Sequence, residues 1–467
     1  MAAEKNDGAT EPPRFENQGG AANMDPSGLM RWLQSRYMRR LASPAQREKR
    51  RQQAERERQR AGSAHRVEYF HQVDDGYSQL AAQTLAAFAR SYDVELVCHL
   101  VTPSADANAP EPELLAQLSL TDAAAIAPHY ALEFSAAQLP AGQQIERAQS
   151  LLAGADDATF MQLAPRIGSA LLGNDDAALA DLASTHAAAD AATTAARVAA
   201  GNARRAELGH YSGAMFHYAG EWYWGVDRIY HLENRLIELG TARDPGRGPL
   251  WPRPSIDSGP LTDDGRLTLE VYPSLRSPYT SIIFDRALEL GTASGVKVDV
   301  LPVLPMVMRG VPATREKGRY IFTDTLREAE TLGLDWGKLY DPIGEPVRRA
   351  YALYPWACEQ GRGNALLSEF LRAAFFEGIN TNRLGGLRQV VERAGLDWGA
   401  AKEQLGDTRW QTELERNRLA MYDFGSWGVP SFRLLDESGD TVLALWGQDR
   451  LWLMAKEIQR LLAERGG

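Results

Sequence analysis

The feature that most limits how this chain of 467 residues can fold is a pattern of apolar periodicity laid down twice. From residue 66, RVEYFHQV reads as a strand, DDGYSQLAAQTLAAFARSY as a helix and VELVCHLV as a second strand. Residues 112–206 are rich in Ala and Leu and read as several helices. GHYSGAMFHYAGEWYWG follows as a hairpin and VDRIYHLENRLIELG as a closing helix. Then come 26 residues dense in Pro, Gly and Asp (241–266), and the order restarts. LTLEVYPSL is a strand, SPYTSIIFDRALELGTASG a helix and VKVDVLPVL a strand, with helices from about 315 to 425. VPSFRLLDESGDTVLALWG is a hairpin turning at Glu-Ser-Gly-Asp, and QDRLWLMAKEIQRLLAERG a last helix. A strand–helix–strand unit requires parallel strands and a right-handed crossover.

Local sequence pairs the two passes. Val67-Glu68-Tyr69 aligns with Leu269-Glu270-Val271, and Asp75-Gly76-Tyr77-Ser78 with Ser277-Pro278-Tyr279-Thr280. Gly209-His210-Tyr211 aligns with Gly428-Val429-Pro430, and Trp224-Gly225-Val226-Asp227-Arg228 with Trp446-Gly447-Gln448-Asp449-Arg450. A repeat this long implies duplicated domains, since solenoid repeats are far shorter, and the chain is too long for one ordinary core. The expected organisation is a tail (1–65), a first α/β domain (66–240), a linker (241–266) and a second α/β domain (267–467).

Within the tail, residues 1 to about 25 have the composition of a disordered segment. LMRWLQSRYMRRLASPAQREKRRQQAERERQR is basic and helix-prone, with Leu29, Trp32, Leu33, Tyr37 and Leu41 close to one helical face. A membrane or RNA surface, or a partner's groove, would suit such a segment. A helix packed loosely on its own domain is the preferred reading, because charge runs are usually solvated.

A net charge of −10 argues against a general nucleic-acid binder. Two cysteines, Cys98 and Cys358, form no CxxC pair. They exclude a disulfide framework and a cysteine zinc site, and both read as small buried apolar side chains. The N-terminal residues lack the apolar core of a signal peptide and no apolar run is long enough to span a bilayer, so a cytoplasmic protein is expected.

Ser277-Pro278 opens an apolar helix. Proline suits the first helical position, and a helix N-terminus favours an anion through free N–H groups and the dipole. Ser277 is therefore either a helix cap or a ligand group, or both. A lone serine with no histidine placed to activate it is a poor nucleophile.

The repeated unit is a thioredoxin-like core with helices inserted between its halves. The second copy resembles the DsbA-like branch of the thioredoxin superfamily, and within it 2-hydroxychromene-2-carboxylate isomerases and kappa-class glutathione transferases. Four motifs in order carry the resemblance: Ser277-Pro278-Tyr279, Lys317-Gly318-Arg319-Tyr320 with Asp324 and Arg327, Trp427-Gly428-Val429-Pro430-Ser431, and Trp446-Gly447-Gln448-Asp449-Arg450-Leu451. The resemblance implies glutathione as cofactor, with its sulfur facing Ser277. It implies a cis Val429–Pro430 bond whose free edge pairs with the peptide. Gln448 and Asp449 would hold the γ-glutamyl end and Lys317 the glycyl carboxylate, with Arg309 or Arg315 as substitutes. Where the kappa pattern has Asn, this chain has Met308 and Arg309.

The first copy has Asp75 for Ser277 and Gly76 for Pro278, and the alignment puts Tyr211 at the cis-proline, so it is expected to bind no glutathione in this mode. The resembled enzymes are dimers, so the chain is expected to form a pseudo-dimer of its own two copies. The function these readings imply is a glutathione-dependent isomerase or transferase acting on a small aromatic electrophile, with Tyr272, Tyr279, Trp356 and Trp427 lining the acceptor pocket. The alternative is a non-catalytic thioredoxin-fold scaffold. Dithiol chemistry is excluded by the missing cysteine pair.

Overall fold

The computed structural model describes residues 25–104, 108–136, 138–311 and 313–466. The reading of the first residues as disordered falls almost wholly outside the described residues. The expected strands form two four-stranded sheets. One contains β1 (Arg66–His71), β2 (Glu95–Leu100), β3 (Met215–Tyr218) and β4 (Glu221–Trp224), in the order β2-β1-β3-β4. The other contains β5 (Thr268–Tyr272), β6 (Lys297–Val300), β7 (Ser431–Leu435) and β8 (Thr441–Trp446), in the order β6-β5-β7-β8. In each, the first two strands are parallel and the hairpin runs antiparallel, as the strand–helix–strand reading requires. The central strands β1 and β5 are buried along nearly their whole length, as strands covered on both faces must be.

The sheet register corrects one alignment. Phe70 faces Met215 and Tyr272 faces Ser431. Gly225 N–H donates to Ala214 at 2.7 Å, as Gly447 N–H donates to Pro430 at 2.9 Å. Ala214 therefore occupies the place of Pro430, three residues beyond Tyr211. The loops before β3 (208–214) and β7 (424–430) have the same length, so Gly209-His210-Tyr211 stands three residues too early and its match to Gly428-Val429-Pro430 was a coincidence of local sequence.

The two halves share packing. One apolar cluster runs through the C-terminal half and takes in Leu80, Ile126, Tyr130 and Val226 beside Ile283, Leu451 and Trp452. A second, built on Val67, Leu85, Phe88 and Phe216, belongs to the N-terminal half.

The basic segment forms two helices, α1 (Gly28–Leu41) and α2 (Pro44–Ala61), broken where Ser43 caps α2. Its packing is not loose. Arg31 is 0% exposed and donates to the carbonyls of Asp341 and Ile343 and to Asp25. Arg47 makes a bidentate pair with Glu330 at 2.7 and 3.0 Å, and Arg51 one with Glu221 at 2.7 and 2.8 Å, so α2 touches both halves. The expected apolar face splits: Leu41 is buried, whereas Leu29, Trp32, Leu33 and Tyr37 are exposed. Cys98 is buried on β2 as expected, but Cys358 is exposed.

Candidate functional site

Ser277 caps the Pro278–Ser294 helix by accepting the Thr280 N–H at 3.1 Å, and Pro278 takes the first helical turn. Its Oγ–H also donates to the Val429 carbonyl at 3.3 Å. The Val429–Pro430 peptide bond is cis. The loop that carries it is tightly held: Arg309 donates to the Trp427 carbonyl at 3.0 Å, and Ser431 Oγ donates to Gly428 O at 2.8 Å. A side chain at 428 would place its Cβ 2.3 Å from Trp446 Nε1, so glycine is required by the close approach of the indole. Among the described residues the Val429 N–H meets no hydrogen-bond acceptor, which leaves that edge open to an extended chain.

A cleft of about 70 Å³ lies at the junction of the two halves. Tyr279, Val429, Trp446, Gln448 and Asp449 line it from one side and Tyr77, Trp224, Asp227 and Arg228 from the other. The tertiary fold thus brings together Ser277, Val429, Pro430, Gln448 and Asp449. Lys317 stands apart: it does not line this cleft, its Nζ donates to the Asn108 carbonyl at 3.2 Å, and burial pulls it down to about 8. Of the four aromatics expected around an acceptor, only Tyr279 lines the cleft, while Tyr272 and Trp427 are buried in packing. Trp224 and Trp446, 6.3 Å apart and edge to face, supply the aromatic walls instead.

The polar groups of the cleft are engaged with each other across the junction in a reciprocal pattern. Arg228 reaches Asp324 at 3.0 Å and Asp449 at 2.6 Å. Arg450 reaches Asp122 and Asp227, both at 2.7 Å. Tyr77 donates to Asp122 and Tyr279 to Asp324, each at 2.9 Å. Each half therefore lends its Asp-Arg pair to the other. Burial opposes ionisation of Asp449, but Arg228 and Arg450 outweigh it and hold the carboxyl below its ordinary range. At Asp227 burial wins, and that carboxyl is pushed up.

Asp449, expected as a ligand for an ammonium group or else as a paired structural carboxylate, has its carboxylate engaged by Arg228 in this structure. Gln448 is buried and committed too, donating to Glu328 at 2.6 Å and accepting from Arg253 at 3.0 Å. Arg228 and Arg253 are the residues that sequence reasoning missed. The Asp-Arg pair that recurs at 227–228 and 449–450 was the available signal. Arg309 is buried, and its Nε and Nη1 find no hydrogen-bond partner among the described residues.

At the equivalent position in the N-terminal half, Asp75 caps the Gly76–Ser91 helix through the Ser78 N–H at 2.8 Å. Burial pushes its carboxyl up to about 6. No group of three or more His, Cys, Asp or Glu side chains suited to a metal is present among the described residues.

Residues 268–459 match the model of the DSBA-like thioredoxin domain. No curated protein sequence matches the chain. Similar solved structures include a 2-hydroxychromene-2-carboxylate isomerase, at 18% identity and TM-score 0.36 over 43% of this chain and 98% of that one. A probable DsbA oxidoreductase from Streptomyces coelicolor aligns at 20% identity and TM-score 0.33 over 42% of this chain and 91% of that one. The cytosolic disulfide reductase DsbM from Pseudomonas aeruginosa, solved with GSH, aligns at 18% identity and TM-score 0.31 over 42% and 98%. By the family model, residues 268–459 of this chain form a DSBA-like thioredoxin domain.

Proposed function

We propose that the C-terminal half binds a thiol-bearing peptide, glutathione first among candidates, and acts as an isomerase or transferase on a small aromatic electrophile. The observation that carries the reading is the pairing of Ser277 with the cis Val429–Pro430 loop. The 3.3 Å bond from Ser277 to Val429 O is long, hence readily exchanged. An extended ligand that pairs with the open Val429 edge donates its own N–H to that carbonyl. The Ser277 hydroxyl is then released to donate to the ligand's sulfur. That bond, made at a helix N-terminus, favours the thiolate over the thiol. Glutathione, when bound, supplies a thiolate nucleophile. The N-terminal half serves as a built-in partner that closes the far wall.

The residues fit the cysteinyl part of glutathione and not its γ-glutamyl end. Asp449 and Gln448 are already paired. The enclosed space is also well below the roughly 300 Å³ at which organic-ligand pockets begin. The γ-glutamyl end therefore lies outside the junction. This same engagement favours the second reading, a non-catalytic scaffold in which the first copy permanently fills the second copy's ligand groups.

Calorimetric titration of glutathione into the full chain separates the two. The enzyme reading expects binding at millimolar or lower concentration, lost in Ser277→Ala, while Asp449→Asn leaves affinity within about threefold. Absence of heat at millimolar glutathione refutes it and leaves the scaffold reading.

A further inference from the structure

Helix α1 is mounted with its apolar side outward. Its inner face is anchored by polar groups beside Met38 and the buried Leu41: Arg31 is 0% exposed, and Ser35 Oγ accepts the Asp341 N–H at 3.0 Å. Arg39 Nε donates to the Leu339 carbonyl. These anchors fix the helix's rotation, because turning it would strand the buried Arg31 guanidinium. The outer face then presents Leu29 at 69%, Met30 at 49%, Trp32 at 48%, Leu33 at 46% and Tyr37 at 47% exposure. Most of the exposed large apolar side chains among the described residues lie on this one helix. Such clustering marks an interaction surface, whereas single exposed apolar side chains do not. At 100° per residue, Arg36 and Arg40 fall at the centre of the same outer face, and both are exposed. Arg36 lies 5.6 Å over the Trp32 ring.

We propose that the outer face of α1 is a docking surface for an anionic lipid membrane, on which the helix lies flat. Charge complementarity supports this occupant. Between residues 27 and 62 eleven lysines and arginines stand against three glutamates, in a chain whose net charge is −10. Arg31, Arg47 and Arg51 are engaged within the chain, whereas Arg36 and Arg40 on the outer face are exposed. Leucine, methionine, tryptophan and tyrosine enter the boundary between headgroups and acyl chains, while arginines reach back to lipid phosphates. Nucleic acid is the poorer fit, since Leu29, Met30 and Leu33 gain nothing from a phosphodiester backbone. A second copy docking through the same face would set Arg36 and Arg40 against their own counterparts, because a two-fold contact is self-complementary. Helix α1 has 14 residues, too short to span a bilayer, and among the described residues no helix is long and apolar enough to do so.

The test is flotation of the full chain with vesicles of phosphatidylcholine alone, or with roughly a third phosphatidylserine. The native chain is expected to float with the anionic vesicles and not with the neutral ones. Trp32→Ser with Leu33→Ser, and separately Arg36→Glu with Arg40→Glu, each lower the partition coefficient by about tenfold or more. All four side chains are exposed, so unchanged far-ultraviolet dichroism is the folding control. Failure to float with anionic vesicles overturns the proposal, as does equal flotation of the variants. A native chain that sediments as a dimer, and becomes monomeric on Trp32→Ser with Leu33→Ser, assigns the face to self-association and equally overturns it.

Discussion

Arg228→Met and Arg450→Met test whether the reciprocal ion pairs hold the two halves together. Both guanidinium groups are buried; Arg228 bridges Asp324 and Asp449 with Glu328 at 3.5 Å, and Arg450 bridges Asp122 and Asp227 with Asp449 at 3.5 Å. Removing one partner of a buried pair costs about 3–5 kcal/mol, because an uncompensated charge remains. The two sites differ in what survives the change. Without Arg228, Asp324 keeps Arg327 at 3.0 Å and the Tyr279 hydroxyl, and Asp449 keeps Arg450 at 3.5 Å. Without Arg450, among the described residues Asp122 keeps only the Tyr77 hydroxyl, and Asp227 that of Tyr130 at 3.2 Å. Arg228→Met therefore falls near 3 kcal/mol and Arg450→Met near 5, on the order given above. At about 2–4 °C per kcal/mol for units of this size, Tm drops by about 6–12 °C and about 10–20 °C respectively. Thermal unfolding followed by circular dichroism reads both. Adding Asp449→Asn to Arg228→Met recovers part of the loss, since the stranded charge is gone, and the double-mutant cycle reports the coupling. Shifts below about 2 °C for both variants, or the larger shift in Arg228→Met, would refute the argument that these pairs are buried and unequal in their remaining partners.

Asp75→Asn keeps an N-cap but removes a carboxyl that burial raises to about 6. Because the folded pKa lies above the unfolded one, the carboxyl's contribution is present at low pH and lost as pH rises through 6. The variant is thus more stable than the native chain at neutral pH, by about 1–2 kcal/mol after allowing for partial exposure, and equal to it below about pH 4; denaturant titration at the two pH values checks this, and equal destabilisation at both contradicts it. Gly428→Ala drives a Cβ into Trp446 and should cost about 1–3 kcal/mol, with a change in tryptophan emission; a neutral substitution shows that the indole moves freely. Of the two thiols, Cys358 should react with a disulfide reagent in the native state and Cys98 only after unfolding, so Cys358→Ser abolishes native labelling; two reactive native thiols would contradict the burial of Cys98.

Sequence alone determined what is local. Alternating and 3.6-residue apolar periods placed the strands and their flanking helices, because a backbone's choice of element depends on neighbours a few residues away. The Ser277-Pro278 cap and the Asp75 cap follow from the same short-range chemistry. Even the Asp-Arg pair of each half was visible as a recurring motif. Tertiary structure decided what depends on partners far along the chain. Arg228 meets Asp449 across 221 residues, and that contact turns an expected ligand group into part of a junction. The place of Pro430 in the N-terminal half falls at Ala214, three residues beyond where a local match put it, and only the hydrogen-bond register of the sheet reveals it. The apolar stripe of α1 was legible, but its direction was not. A periodic pattern is the same whether it faces core or solvent, and the buried bonds of Arg31 to Asp341 and Ile343 are what turn it outward.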